Sequence, residues 1–128
     1  MAHPSFDQDS AQRPSLGFAF ARRFDRLFDL SQRQGMQCIG EIRGPGAMVA
    51  LELVTDRQTR TPDAALTSAL IAEAEARGLI LLACGTRFNV IRMLPALTIP
   101  DQVLVEGLDI LEASLEAVIH RSAAAGAA

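Results

Sequence analysis

The sequence contains no lysine; all 12 of its basic residues are arginine. Chemistry that needs a Schiff-base amine has no donor side chain here. Histidine is nearly absent as well. His3 and His120 stand near the termini, where order is least expected, so neither a His-based triad nor a multi-His metal site is expected. Cysteine is limited to Cys38 and Cys84, far apart in the chain. That fits free thiols in a reducing cytosol, with a disulfide between them as the minor alternative. No apolar run approaches the length that spans a bilayer. The opening residues lack the basic-then-apolar layout of a secretory signal. A cytoplasmic protein with no membrane contact is the expectation. A basic excess is also lacking: the net charge is -3 and the pI near 5.3, which argues against a broad nucleic-acid surface.

What is present suits one compact domain of 128 residues, with 49% hydrophobic and 21% charged residues. Residues 1–15 mix Pro, Ser, Gln and Asp without periodicity and read as a flexible lead-in; 16–120 form the domain, and the low-complexity stretch 121–128 reads as a flexible tail. A helical pattern runs from Leu16 to Arg33, with Phe20, Phe24, Leu27, Phe28 and Ser31 on one face, an Asp29–Arg33 pair, and Gly35 as the stop. Ile39 to Arg43 reads as a strand and Gly44-Pro45-Gly46 as a turn. Ala47 to Val54 reads as a second strand with Val49, Leu51 and Leu53 on one face. Thr61 is the expected N-cap of a helix that ends at Gly78. Leu79 to Ala83 and Val90 to Leu94 read as a hairpin. A last helix starts near Thr98, with Thr98 and Asp101 in capping-box spacing. Its stripe is Leu104, Leu108, Leu111, Leu115 and Val118; Glu106, Asp109, Glu112 and Glu116 are expected to face water.

That order predicts an α+β fold of two layers: a small mixed or antiparallel sheet with helices on one face. The strands read as apolar on both faces, so the second face is expected to lie against another large surface.

Within the last strand stands Arg92, in "NVIRMLPAL". An arginine enclosed in an apolar strand is costly unless an anion answers it. One reading lets its head reach solvent or a carboxylate such as Glu52. The other makes it a planar fork for a substrate carboxylate. Elsewhere, Gly44-Pro45-Gly46 reads as a tight turn rather than a phosphate loop, since no P-loop lysine follows. Arg43 reads as a partner for a carbonyl or carboxylate, Glu52 as paired or simply exposed, and Cys84 as structural, with no histidine near it in sequence to activate it.

The stretches "CIGEIRGPGAMVALEL" and "TPDAALTSALIAEAEARGLILLACGTRFNVIRMLPALTIPDQVLVEGLDILEASL" resemble the C-terminal small domain of class III pyridoxal-phosphate (PLP)-dependent aminotransferases, within them the 4-aminobutyrate branch. The resemblance covers about Leu16 to Val118. It implies the C-terminal domain of a fold type I PLP enzyme, a homodimer, and PLP held by a lysine of a large domain that these residues do not include. It also implies that Arg92, as the arginine of the "NV.R" motif, binds the carboxylate of an ω-amino acid or of 2-oxoglutarate. No cofactor is expected on this chain alone, nor catalysis by it alone. The partners implied are a large PLP-binding domain, or self-association through an apolar face, and a small carboxylate. A free-standing interaction or carboxylate-binding module and a non-functional truncated product are the rival readings.

Overall fold

The protein is described by a computed structural model covering residues 22–44 and 48–127. The expected lead-in, the start of the first expected helix, Pro45 and Gly46 of the expected turn, and Ala47 at the start of the second expected strand lie outside the described residues. A 3-10 turn, Arg22–Phe24, runs into α1, Asp25–Gln32. Then come β1 (Ile39–Arg43), β2 (Val49–Asp56), β3 (Thr61–Pro62), α2 (Ala64–Ala76), β4 (Leu82–Cys84), β5 (Val90–Met93) and α3 (Asp101–Gly126). The sheet order is β1-β2-β5-β4, every pair antiparallel, with β3 paired to the far end of β2.

β2 is the central strand, and its alternation decides the layers. Val49, Leu51 and Leu53 point to the helices and are buried, as are Ile91 and Met93 beside them on β5. Leu27 and Leu30 from α1, Leu70 and Ala74 from α2, and the stripe Leu104, Leu108, Leu111, Leu115 and Val118 from α3 close over them in one core. All three helices therefore lie on one face, as the pattern predicts. The strand β1 bulges between Ile39 and Glu41, where a side chain at Gly40 would meet Val54 Cγ1 at 2.8 Å. Gly78 ends α2 at φ 94°, a left-handed position that a residue without Cβ takes freely.

Several local expectations are corrected. Phe28 is 60% exposed, and Leu30 takes the inward place on α1, because the short helix presents a face rotated from the one read over 16–33. Thr61 does not cap α2: Thr61–Pro62 pair with β2, and Asp63 caps instead, its carboxylate accepting from Leu66 N at 2.9 Å. Thr98 and Asp101 form no capping box; the helix begins at Asp101 after Pro100, with no side-chain cap bond. The stretch expected as a loose tail continues α3 to Gly126, where alanine's helix propensity carries an exposed extension.

The acidic face of α3 is not merely solvated. Glu112 is half-buried and accepts from Arg26 Nη2 at 2.7 Å and from Arg33, while Arg26 also pairs with Asp109 at 2.5 Å and Arg33 with Glu116 at 3.5 Å. Asp29 is therefore not the partner of Arg33; the neighbouring helix supplies two carboxylates that outcompete a local pair. Arg23 adds a bond to Ile99 O at 3.0 Å and a pair with Asp101 at 2.5 Å. Arginine ties α1 to α3 along its length. Burial pushes the Glu112 carboxyl pKa up, but the hydrogen bonds and charge of Arg26 and Arg33 outweigh it and hold the group below the usual carboxylate value.

A depressed folded pKa gives stability that is present above the unfolded value and lost as pH falls through the folded one. Discounted for the solvent around both guanidiniums, the network is worth roughly 1 kcal/mol at pH 7. Glu112→Gln is therefore expected to lower urea-unfolding stability by about that amount at pH 7, and the gap to close as pH drops below about 4. A gap that stays constant down to the acid limit would show that the charge on Glu112 contributes nothing.

Candidate functional site

The pleat of β5 turns Arg92 away from the core. Ile91 and Met93 face the helices, and Arg92 between them leaves from the opposite face and is exposed. Its cross-strand neighbours are Ala50 on β2 and Leu82 on β4. The costly enclosure anticipated from the apolar run does not arise: a strand buries alternate side chains, and this one is on the open side.

Arg92 has no hydrogen bond or ion pair among the described residues, and neither do Arg22 and Arg87. The nearby carboxylates are already engaged. Glu41 and Glu52 stand directly opposite each other on β1 and β2. Like charges so placed repel, and two arginines resolve it. Arg43 reaches Glu52 at 2.7 Å and Glu41 at 3.1 Å. Arg60 reaches Glu41 at 2.5 Å and Glu52 at 3.4 Å from a left-handed backbone at φ 55°. Arg43 and Glu52 thus take the structural roles read from the sequence, and Glu52 is not the partner of Arg92. The outer face of the sheet is charged at the β1–β2 end, in place of the two-sided apolar character read from the strands.

Beside Arg92 the surface changes character. Among the described residues, Arg92 is the one charged residue along a groove of about 470 Å³ whose other walls are almost wholly apolar, among them Ile80, Leu82, Leu94, Pro95 and Val103. Ile80, Leu82, Leu94 and Val103 are each at least half exposed. An exposed planar fork can take one carboxylate by two parallel bonds.

The strand that carries Arg92 is anchored through Asn89, which sequence reading quoted only as part of a motif. Asn89 is buried, and its Nδ2 donates to Leu53 O at 2.9 Å. Arg57 was missed altogether. It donates to Ile39 O at 2.8 Å, Ser31 O at 2.6 Å and Met36 O at 3.0 Å, closing the turn between α1 and β1. Nothing in "TDRQTRTPD" marks it, since three carbonyls from distant residues leave no trace in local pattern.

Other candidates carry no chemistry. Both cysteines are free thiols. Burial pushes the Cys38 thiol up to about 11, which leaves it protonated and unreactive. Cys84 sits at the end of β4 with no histidine on its element. No group of His, Cys, Asp or Glu among the described residues could hold a metal ion, and no helix among them is long and apolar enough to cross a membrane.

Comparison with known proteins gives the family. The sequence model of Aminotransferase class-III matches residues 20–115. The 4-aminobutyrate aminotransferase of Mycobacterium tuberculosis is 54% identical over 77 residues, which are 60% of this chain and 17% of that protein. The 4-aminobutyrate aminotransferase GabT of Escherichia coli is 49% identical over 73 residues, 57% of this chain and 17% of that protein. The 5-aminovalerate aminotransferase DavT of Pseudomonas aeruginosa is 52% identical over 73 residues, again 57% and 17%. Among solved structures, an omega-transferase from Vibrio fluvialis superposes with a TM-score of 0.71 at 26% identity, over 92% of this chain and 27% of that one. In each case this chain spans well under a third of the protein it resembles. Sequence and superposition agree that the chain belongs to the class-III aminotransferase family.

Proposed function

We propose that this chain is the small domain of a PLP-dependent aminotransferase that exchanges an amino group between an ω-amino acid, 4-aminobutyrate foremost, and 2-oxoglutarate, and that Arg92 is its carboxylate receptor. The observation that carries this reading is the exposed guanidinium of Arg92, without a partner among the described residues, on a residue that borders the apolar groove, with both nearby glutamates held by Arg43 and Arg60. The relatives named for 4-aminobutyrate and 5-aminovalerate support the substrate class: both names denote a carboxylate separated from an amine by a short methylene chain. A fork at one end and a trough beside it suit that shape. Arg92 would bind and orient the carboxylate, so that the reacting amine or carbonyl is held at a fixed reach.

The residues present do not make a site for the cofactor. The sequence has no lysine to hold it, and the groove at Arg92 offers one cation and otherwise apolar walls. When bound in enzymes of this family, PLP supplies the electron sink that lets the amino group move. No step of that chemistry is assigned to this chain. A large, lysine-bearing domain is the partner proposed, and the exposed side chains of Ile80, Leu82, Leu94, Leu97, Val103 and Val105 are the surface proposed to meet it. The free thiols support a cytosolic setting.

The same apolar surface favours self-association as a second reading for the chain on its own. The purified 13.7 kDa chain is expected to sediment as an oligomer, and a Leu82→Glu, Leu94→Glu double variant as a monomer. A monomeric wild type at millimolar concentration would remove this reading.

Two measurements test the main proposal. The chain mixed with PLP, 4-aminobutyrate and 2-oxoglutarate should show no turnover above the free cofactor; enzymatic turnover by the chain itself would defeat the division of labour described here. In the enzyme that joins this domain to its large domain, Arg92→Ala should raise KM for 2-oxoglutarate by roughly 10- to 100-fold, the value of a charge-assisted hydrogen-bond pair. Arg92→Lys should recover only part of it, since a point charge cannot form the fork. Unchanged KM in Arg92→Ala would refute the receptor role.

A further inference from the structure

We infer that Asn89 is a positioning residue for Arg92: its buried amide fixes the register of β5 on β2 and thereby the face of the sheet from which the guanidinium leaves. The inference rests on the reading of Arg92 as carboxylate receptor.

Asn89 is 5% exposed, immediately before β5. Its Nδ2 donates to Leu53 O at 2.9 Å, and Leu53 N–H donates back to Asn89 O at 2.7 Å. Leu53 O also accepts from Asp63 N at 3.1 Å, the cap residue of α2. One carbonyl thus joins the middle of β2, the entry to β5 and the start of α2. The ladder beyond it runs Glu52 opposite Val90, Leu51 opposite Ile91 and Ala50 opposite Arg92.

Side chains alternate along a strand with a period of two. A slip of one position would turn Arg92 toward the core and Ile91 toward water. β5 is only four residues long, so few ladder bonds resist such a slip. The turn before it, closed by Phe88 N donating to Gly85 O at 3.3 Å, sets the pairing of β5 with β4 and acts on the pairing with β2 only through it. It carries two left-handed residues, Gly85 at φ 84° and Phe88 at φ 54°, separated by residues 86 and 87, unlike a tight two-residue loop. The specific device at the entry to β5 is the amide of Asn89. A buried amide that must find its carbonyl penalises every register but one.

The test is a double-mutant cycle in the intact enzyme, with KM for 2-oxoglutarate and kcat read separately. Asn89→Ala is expected to raise KM about tenfold, and to add less than about twofold when Arg92 is already alanine. An unchanged KM in Asn89→Ala, or the same factor in both backgrounds, overturns the inference, because a purely structural defect does not depend on Arg92. If Arg92→Ala alone leaves KM unchanged, the receptor reading itself fails; that result is distinct from failure of the positioning role. In this chain alone, Asn89→Asp supplies a second readout. An ionised carboxylate has no proton to give Leu53 O; a protonated one does. Amide-exchange protection at Leu53 and Ile91, judged against the wild type at the same pH, is expected to be lost at pH 7 and regained as the new carboxyl protonates. Equal relative protection at both pH values overturns the role of the side-chain donor.

Discussion

The pairing of β2 with β5 is the constraint on which the rest of the structure depends. β2 contributes the buried row Val49, Leu51 and Leu53, and β5 extends it with Ile91 and Met93. The three helices have a core to cover only because those rows are aligned. The same alignment decides what the other face shows. Residues at odd positions along β2 are committed to the core, so Ala50 and Glu52 must face outward, and Arg92, opposite Ala50, goes with them. Core and candidate site are two consequences of one register.

Arginine is the only strong cation in the sequence, and the structure divides its copies by task. Arg23, Arg26 and Arg33 fasten α1 to α3. Arg57 gathers three carbonyls at the turn before β1, and Arg43 and Arg60 neutralise the facing glutamates of β1 and β2. Lysine would serve few of these places equally well: bonding several acceptors at once uses a rigid planar fork with five donors. The committed pairs also affect Arg92, which has no partner among the described residues. Were Glu52 not held by Arg43 at 2.7 Å, it would be the natural anion for a guanidinium on the next strand. Local neutrality on the β1–β2 side leaves Arg92 able to respond to a carboxylate arriving from outside.

The sheet, its helices and the identity of the core were legible in the sequence because they rest on periodicity. Val49, Leu51 and Leu53 alternate, Leu104 to Val118 recur each turn, and Gly35 and Gly78 punctuate the helices at positive φ. Cap positions were less legible. Thr61 has the right chemistry for an N-cap, but a two-residue pairing with β2 claimed it and left the cap to Asp63. Glu106, Asp109 and Glu116 of α3 face water as the pattern predicts, but Glu112 was misread for a related reason: periodicity says which face is polar, and says nothing of Arg26 and Arg33 arriving from another helix. Of the candidate site, Arg92 was visible through its motif, whereas Asn89 needs the tertiary position of Leu53 to be understood.

The apolar groove and the charged β1–β2 face impose different requirements on the same sheet. Ile80, Leu82 and Leu94 remain open to water although the chain has ample apolar material for its core. β4, the edge strand there, is three residues long and not fully paired on its outer side. A short edge limits unwanted strand addition, yet the groove stays open. Such an edge would be tolerable if the surface were covered in use, and a cover there would lie next to Arg92. A covering domain would then do more than bury apolar area. It would exclude water from the guanidinium and strengthen its bond to a carboxylate, because a charge pair gains as the surrounding dielectric falls. On that argument, any association at the groove and any carboxylate binding at Arg92 would be energetically coupled, each favouring the other.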